Sequence, residues 1–241
     1  MEADALRTQR LARILAEAGL RPGAEHPCPY LPGRSARQIV VLPPPGIPGL
    51  YHSFMDLGYR RLGSVYYRPA CRGCQECRPL RVRVEEFQPS RSQRRCLERN
   101  RDVVVEVGAP EATAEKHDLY RRYLEARHDG QMDGSWSELK DSLYDTPPTT
   151  LELCYRAEGR LLAVGLADAE PRALSAVYCF FDPGEEARSL GTLNVLRLIE
   201  ECRRRGVPHL YLGYWVAGSP KMAYKASFRP HELLDDEGRW A

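Results

Sequence analysis

The apolar positions of the chain follow two spacings, one typical of helices and one typical of strands. Apolar residues three or four positions apart predict helices over residues 1–18, 111–127, 136–144 and 189–205, and another that opens at Ser90. Short runs rich in valine, leucine and tyrosine predict strands over residues 39–42, 80–84, 103–107, 151–157, 160–168, 172–181 and 209–214. Helices, an antiparallel meander, a long helix and a last strand predict an α+β fold.

Composition then limits the class of protein. The 241 residues contain no run of eighteen apolar residues, so we expect no membrane-spanning helix. The first nineteen residues lack the apolar core of a signal peptide. Eight cysteines without a secretion signal indicate reduced thiols and a cytoplasmic location.

Charge divides the chain into two regions. The net charge is only +2, yet residues 1–105 contain many arginines and no lysine, whereas acidic residues outnumber basic ones in residues 106–241. This asymmetry predicts different partners for the two regions. We therefore expect a boundary near residues 105–110, with an Arg/Cys-rich N-terminal region over 1–105 and a C-terminal domain over 106–241.

Arginines are densest between residues 60 and 101. Arg91, Arg94 and Arg95 recur at near-helical spacing after Ser90, which is a favoured helix N-cap. Such a face is suited to phosphates and predicts salt-dependent binding of RNA. The alternative is a solvated face that pairs with Glu98 and Asp102.

Three cysteines, Cys71, Cys74 and Cys77, recur every third residue. Two residues between thiols let both reach one metal ion from a tight turn. Cys28 is the candidate for a fourth ligand, which would complete a structural zinc site or an iron–sulfur cluster. Reduced structural cysteines or a redox-sensing pair are the alternatives.

Residues 211–230 carry the densest candidate chemistry. The strand-like run stops at Gly213 and predicts exposed rings at Tyr214 and Trp215; a turn then opens a short helix with lysines and a further tyrosine at Lys221, Tyr224 and Lys225. Lysines pair with phosphates and aromatic faces stack on bases, so this end of the strand suits an anionic, ring-bearing ligand. A core strand followed by a solvated helix is the alternative.

The second half has the element order of the N-acetyltransferase-like (GNAT) fold. Arg188 and Gly191 precede the long helix, where acetyltransferases hold a pyrophosphate on backbone N–H groups. Leu193 stands where a small residue is expected, and a helix cap at Ser189, with Gly191 incidental, is the alternative.

Five blocks in order resemble one family along nearly the whole chain. They are C-P-Y-L-P-G-R at 28–34, G-Y-R-R-L-G at 58–63, Y-R-P-A-C-R-G-C-Q-E-C-R-P-L-R-V at 67–82, S-R-S-Q-R-R at 90–95, and residues 211–230. The chain is thereby similar to the bacterial aspartate/glutamate leucyltransferases, relatives of the eukaryotic arginyltransferases. The resemblance implies a GNAT-like domain that transfers leucine from leucyl-tRNA to proteins with N-terminal Asp or Glu, marking them for degradation.

Two positions depart from the family pattern. Leu62 stands where many relatives have serine, and Leu31 stands at what resembles the second position of the first cysteine pair. The second departure leaves metal binding open. Catalysis itself needs no cofactor, because the tRNA ester is already activated.

The resemblance and the residues together suggest roles for the candidate side chains. Tyr214, Lys221 and Lys225 are the catalytic candidates; Arg91, Arg94, Arg95, Trp215 and Tyr224 are candidates for binding the charged tRNA; Arg60, Arg61, Arg78 and Arg81 are candidates for the acidic acceptor residue. The expected partners are leucyl-tRNA and acceptor proteins, with no membrane and no DNA.

Three alternatives stay open at this level. The donor could be arginyl-tRNA, with the same acceptors. The chain could be an acetyl-CoA-dependent acetyltransferase that uses Arg188 and Gly191, or a metal-containing RNA-binding module without catalysis.

Overall fold

The computed structural model describes residues 2–44, 47–127, 133–145 and 149–241. The α-helices are α1 (Glu2–Glu17), α2 (Leu50–Asp56), α3 (Arg91–Arg99), α4 (Ala114–Arg127), α5 (Trp136–Leu139), α6 (Leu190–Arg205) and α7 (Pro220–Ala223). The strands are β1 (His26–Pro27), β2 (Ser35–Ala36), β3 (Gln38–Val41), β4 (Arg60–Leu62), β5 (Val65–Pro69), β6 (Arg78–Arg83), β7 (Val104–Gly108), β8 (Thr150–Ala157), β9 (Arg160–Glu170), β10 (Ala173–Phe181), β11 (His209–Trp215) and β12 (His231–Leu233). A π-helical turn (Lys140–Tyr144) follows α5, and 3-10 turns cover Pro183–Arg188 and Tyr224–Ser227.

One seven-stranded sheet organises the molecule. Its strand order is β12-β6-β11-β10-β9-β8-β7, and every neighbouring pair is antiparallel except β10 and β11. The connection between the two parallel strands contains α6, as a parallel pair requires a crossover. The predicted α+β, GNAT-like fold is confirmed by this order of meander, long helix and final strand.

Helices cover both faces of this sheet. Helices α3 and α6 pack against one face, where Leu174, Leu210 and Leu212 are buried. On the opposite face, α4, α5 and the π-helical turn cover β8 to β10, while α1 and α2 cover the part around Ala173 and Tyr211. Two separate helical layers, one that contains α4 and one of α1 and α2, therefore meet on that face, above strands β10 and β11.

The N-terminal region contributes to the large sheet as well as to small ones. Strand β6 lies between β11 and β12, whereas β3, β5 and β4 form a separate three-stranded antiparallel sheet and β1 pairs with β2. The predicted division at residues 105–110 stays a prediction about partners, because residues from both sides of it share one sheet. Among the helices of the described ranges, none has the length and apolar character needed to cross a bilayer.

Candidate active site

The two parallel strands of the large sheet pair over only three residues each. Ala173 to Ser175 of β10 face His209 to Tyr211 of β11, and beyond this point the strands are no longer paired. Strand β11 is also irregular between Tyr211 and Gly213 in its pairing with β6. We call the space between residues 176–181 of β10 and 212–215 of β11 the β10–β11 cleft. Backbone groups at such a parting lack ladder partners, so side chains or ligands must satisfy them.

The side chain of Arg60 reaches into the start of this cleft from β4. Its guanidinium donates to the hydroxyl of Ser175, at 2.8 Å, and to the carbonyl oxygen of Ala176. Gly213 makes room for it, since a Cβ built at Gly213 would lie 3.0 Å from the Arg60 Nε. Gly213 also has φ of +75°, which favours glycine. The residue type at 213 is thus required both by the backbone and by Arg60.

Lys225 lies beside Arg60, on the 3-10 turn after α7. Its Nζ donates to the carbonyl oxygen of Tyr214 at 2.8 Å. Burial and, second to it, the positive charge of Arg60 lower the pKa of Lys225 to about 7, with the Cys77 thiol opposing the shift. A lysine in this environment can exchange its proton near neutral pH.

Arg60 and Lys225 form a cation pair without a counterion. Their hydrogen-bond acceptors are a hydroxyl and two carbonyl oxygens, all uncharged. In the described part of the chain no carboxylate lies within ion-pair distance of either group, and no Asp or Glu contributes to the pKa of Lys225. A buried charge without a partner is costly, so an incoming anion would be bound favourably here.

Two other acceptor candidates are already neutralised. Arg61 donates from Nε and an Nη to the two Asp168 oxygens at 2.7 and 2.8 Å, and both side chains are buried. Arg81 pairs with Glu232 at 2.6 Å and with Asp56 at 3.2 Å. The expectation that these two guanidinium groups receive an acceptor is therefore not supported by their contacts.

The fourth acceptor candidate, Arg78, begins β6 opposite Trp215 and is half-buried. Within the described ranges Arg78 forms no ion pair, and no contact joins it to the Arg60–Lys225 pair.

The expected exposure of Tyr214 is wrong. Its side chain is 3% exposed, and its hydroxyl donates to the carbonyl oxygens of Gly58 and Tyr67 at 2.9 and 3.2 Å. The irregular pairing at Gly213 directs this ring inward, against the N-terminal region, instead of releasing it to solvent. Trp215 is half-buried against the core, and its Nε1 has no hydrogen-bond partner among the described residues.

The other residues of the 211–230 block lie at the mouth of the cleft. Tyr224 is 44% exposed, and Lys221 is exposed with its Nζ 3.3 Å from the carbonyl oxygen of Arg127 at the end of α4. These two remain accessible to a large ligand, as the sequence predicted.

The arginine face predicted after Ser90 is present on α3. Ser90 caps the helix through a capping box with Gln93, and Arg91, Arg94 and Arg95 are exposed. Arg94 donates to the carbonyl oxygen of Pro89, and the predicted pairing of this face with Glu98 belongs instead to Arg101. The face is free of carboxylates in the described contacts of these three side chains.

The start of α6 is occupied by the protein itself. The Arg188 guanidinium binds both Asp102 oxygens at 2.9 Å, and the carbonyl oxygen of Arg188 accepts from Asn100 at 2.8 Å. Ser189 is in the left-handed conformation and makes no side-chain cap. This packing against the end of α3 argues against a pyrophosphate site at Arg188 and Gly191.

The four cysteines of the predicted metal site lie near one another, and two of them form hydrogen bonds with arginines. Burial and, second to it, the neighbouring Cys28, Cys71 and Cys74 raise the pKa of Cys77 to about 12. Cys71 accepts from the Arg37 backbone N–H at 3.4 Å, and Cys74 from the Arg34 guanidinium at 3.4 Å. Within the described ranges, no three His, Cys, Asp or Glu side chains are arranged to hold a metal ion. The described side chains therefore form no closed metal site, and metal binding stays a prediction.

Two residues that support the site from other segments of the chain were not predicted from the sequence. Tyr67 contacts the Tyr214 ring, with centroids 6.3 Å apart, and Leu31 would lie 3.1 Å from a Cβ at Gly218. Both belong to blocks that the resemblance singled out, so the blocks at 28–34 and 67–82 support the 211–230 block physically. The order of these blocks along the chain identified them as a set, but it did not reveal that they contact one another.

Comparison with known proteins agrees with this arrangement. A family model described as the N terminus of arginine-tRNA-protein transferase matches residues 26–95, and one described as its C terminus matches residues 115–235. An aspartate/glutamate leucyltransferase of Halorhodospira halophila is 44% identical over 218 residues, with 88% of this chain and 92% of the relative covered. Another, of Stenotrophomonas maltophilia, is 42% identical over 235 residues, with 90% and 89% covered.

Solved structures show the fold alone. A conserved protein of unknown function from Bacteroides thetaiotaomicron matches with a TM-score of 0.52 and 11% identity, covering 65% of this chain and 57% of that one. The two family models, and the relatives that span nearly the whole chain, show the family. The protein belongs to the arginine-tRNA-protein transferase family, among the aspartate/glutamate leucyltransferases.

Proposed function

We propose that this chain transfers leucine from leucyl-tRNA to the N-terminal Asp or Glu of acceptor proteins. The names of its relatives support this activity, and one observation in the structure supports the acceptor specificity. That observation is the cation pair of Arg60 and Lys225, which no carboxylate of the described chain neutralises. The proposal includes the cytoplasm as its location, where charged tRNA is available.

The side-chain carboxylate of the acceptor is the anion that completes this pair. A guanidinium and an ammonium held at one end of a cleft bind a carboxylate through charge-assisted hydrogen bonds. The carboxylate offsets the cost of the buried charges and keeps Lys225 protonated. A neutral first residue would leave both charges uncompensated, so Asp and Glu are favoured over Asn, Gln or Ala.

The reaction mainly requires that the acceptor amine and the ester of leucyl-tRNA be held next to each other. The acceptor α-amine has an ordinary pKa of about 8, so part of it is neutral near pH 7. It attacks the ester carbonyl carbon of leucyl-tRNA; a C–N bond forms, the C–O bond to the ribose breaks, and the amine proton ends on the ribose oxygen. Holding the acceptor by its carboxylate beside the ester supplies the proximity that such a step needs.

The described part of the protein offers two basic surfaces to the tRNA. The α3 arginines (Arg91, Arg94, Arg95) are exposed and can contact phosphates, and Lys221 and Tyr224 stand at the mouth of the cleft, where the charged end must enter. Tyr214 has a supporting role in this proposal, because its buried hydroxyl is engaged by two carbonyl oxygens.

The second candidate is arginine transfer to the same acceptors. The description of the matching family models favours it, since they are those of arginine-tRNA-protein transferases. Both reactions share the acceptor site and differ only in the donor.

A transfer assay tests the proposal. Purified protein is mixed with tRNA charged with labelled leucine or arginine and with peptides that begin with Asp, Glu or Ala. We expect leucine on the Asp and Glu peptides only. Arginine on those peptides in place of leucine would establish the second candidate. No label on any peptide, with tRNA still bound, would refute transfer.

A further inference from the structure

Two adjoining cavities open beside the hairpin of β1 and β2. One has a volume of about 280 Å³ and the other of about 490 Å³, and both are lined by Glu25, Arg34 and Ser35. Such volumes are close to the range of about 300–1,000 Å³ that is usual for small-ligand sites. Arg37 and Arg72 also line the smaller cavity, which we call the arginine cavity. Its lining residues are separate from those of the β10–β11 cleft.

Backbone contacts bring the three arginines of this cavity together. Arg34 closes the hairpin loop, since its carbonyl oxygen accepts from the backbone N–H of Cys28 at 2.8 Å. Arg37 lies between β2 and β3, and its carbonyl oxygen accepts from the backbone N–H of Ala70 at 2.8 Å. This bond holds the turn after β5, which carries Arg72, next to Arg37. Three guanidinium groups from separate segments therefore line one cavity.

The side-chain contacts of these arginines are with uncharged groups or are long. Arg34 donates to the Cys74 thiol at 3.4 Å, and a thiol is a weak acceptor. Arg37 donates from Nε to the carbonyl oxygen of Gly23 at 3.0 Å. Arg72 forms no hydrogen bond or ion pair with another residue of the described ranges. These guanidinium groups are thus able to accept a further anionic partner.

Glu25 is the carboxylate that lines the arginine cavity. Its Oε1 lies 3.9 Å from an Nη of Arg37, beyond hydrogen-bond distance, and its side chain is 52% exposed. Three guanidinium groups and one carboxylate leave the lining with two excess positive charges. A concave surface with an excess of one charge concentrates ligands of the opposite charge.

A phosphate group matches this lining better than a carboxylate does. A phosphate monoester carries nearly two negative charges at neutral pH, and its oxygens can accept paired hydrogen bonds from more than one guanidinium. The hydroxyl of Ser35 adds a neutral donor. The larger cavity shares part of this lining and is bordered by His26 and Pro32, so a sugar and base attached to the phosphate have space beside it.

The hairpin loop lies beside other parts of the molecule that concern RNA and metal. Leu31 of this loop would lie 3.1 Å from a Cβ at Gly218, which places the loop next to the segment that leads into α7. Cys74 lines the arginine cavity and Cys28 the larger one, so the cavities adjoin the predicted metal site. The phosphate contacts come from the arginines.

We propose that the arginine cavity binds the phosphate group of a nucleotide, while the larger cavity accommodates the sugar and base. Two sources carry this chemistry, a free mononucleotide and a nucleotide of the tRNA, and binding measurements separate them. The inference goes beyond the proposed function, because binding at this cavity does not depend on leucine transfer.

Calorimetric titration with 5′-AMP tests the proposal, and adenosine serves as the ligand without a phosphate. We expect AMP to bind at a single site and adenosine to bind at least about tenfold more weakly. The double variant Arg34→Gln/Arg72→Gln should bind AMP at least about tenfold more weakly, since it loses charge-assisted hydrogen bonds. Both residues are exposed, so the variant should remain folded, and thermal unfolding checks this.

The matched control is Arg10→Gln/Arg13→Gln. Both residues are exposed on α1 and line neither cavity, so the same loss of charge should leave AMP affinity unchanged. Glu25→Gln should have the opposite effect and raise the AMP affinity, because a repelling carboxylate is removed. A gain in this variant with a loss in Arg34→Gln/Arg72→Gln separates a ligand contact from a general loss of folding.

Uncharged tRNA in a filter-binding titration identifies the other source. If AMP does not bind, but Arg34→Gln/Arg72→Gln weakens tRNA binding more than Arg10→Gln/Arg13→Gln does, the phosphate belongs to the tRNA. Equal affinities of the two double variants for both AMP and tRNA would overturn the proposal. Failure of leucine transfer is a separate result, because neither titration requires it.

Discussion

Arg60 and Arg61 are adjacent in the sequence and buried, but they face different surroundings. Arg61 is paired with Asp168, which also accepts from the Thr150 hydroxyl at 2.6 Å. Among the described residues, Arg60 binds neutral oxygens alone. Arg61 therefore contributes to stability, whereas Arg60 holds its charge available for a ligand.

This difference predicts losses of stability of different size for two similar substitutions. Arg61→Met leaves Asp168 buried without its partner and should reduce the free energy of unfolding by about 3–5 kcal/mol. Arg60→Met removes a charge that had no counterion, and its effect should stay below about 1.5 kcal/mol. Denaturant unfolding of both variants checks this. A larger loss in Arg60→Met than in Arg61→Met would show that Arg60 is structural.

Lys225 predicts a pH dependence of acceptor binding. Its pKa is lowered to about 7 in the free protein, below the ordinary lysine value, so the group is charged below that pH and becomes neutral above it. The KM for an Asp peptide should rise as pH increases from about 6 to about 9. In Lys225→Arg the charge persists over this range, and KM should stay nearly constant. The deprotonation of the peptide amine affects both proteins alike. The same KM profile in both would contradict the role of Lys225.

At the scale of elements, Gly213 joins strand β11 to the site. Its φ of +75° and its contact with Arg60 both exclude a side chain, whereas Gly206 at the end of α6 has φ of +66° and open space around the Cβ position. Alanine at either position should cost about 1–2 kcal/mol through backbone strain.

Only Gly213→Ala should also displace Arg60. We expect it to raise the KM for Asp peptides while Gly206→Ala leaves KM unchanged. The matched pair separates backbone strain from the contact with Arg60, and equal KM values in the two variants would argue against that contact.

Elements with strong periodicity could be predicted from the sequence, and irregular ones could not. Helix α6 and strands β8 to β11 were predicted to within a few residues, because their apolar patterns are long. Helix α2 and strands β4 and β5 were missed, since they are short and β4 carries two buried arginines. The parting of β10 and β11 depends on pairing between distant segments, which spacing alone does not reveal.

The candidate site residues were likewise predicted in part from the sequence. The 211–230 block was correctly singled out, but Tyr214 was expected at the surface and is buried, because the irregular pairing at Gly213 turns it inward. The four arginines at 60, 61, 78 and 81 were indistinguishable by composition. Arg61 and Arg81 have carboxylate partners, Asp168 and Glu232, that lie far along the chain. These partners decide which guanidinium groups remain available to a ligand.

At the scale of the whole molecule, the α3 arginines predict salt-dependent tRNA binding. Replacing Arg91, Arg94 and Arg95 by Gln should reduce the slope of log affinity against log salt by about one unit for each phosphate that is no longer neutralised. The matched control replaces Arg13, Arg121 and Arg239, exposed arginines that each pair with a carboxylate. Uncharged tRNA and a filter-binding titration suffice. Equal slopes in the two triple variants would place the tRNA elsewhere.

We infer that the unpaired charges of Arg60 and Lys225 select acidic acceptors. The most direct measurement compares leucine transfer to two peptides that differ only in Asp or Asn at the first position, using the unchanged protein and Arg60→Met. We predict that the unchanged protein prefers Asp by at least about tenfold in kcat/KM, as a charge-assisted hydrogen bond requires, and that Arg60→Met loses most of this preference. An Asp preference that survives in a folded, active Arg60→Met variant would show that Arg60 does not select the acceptor.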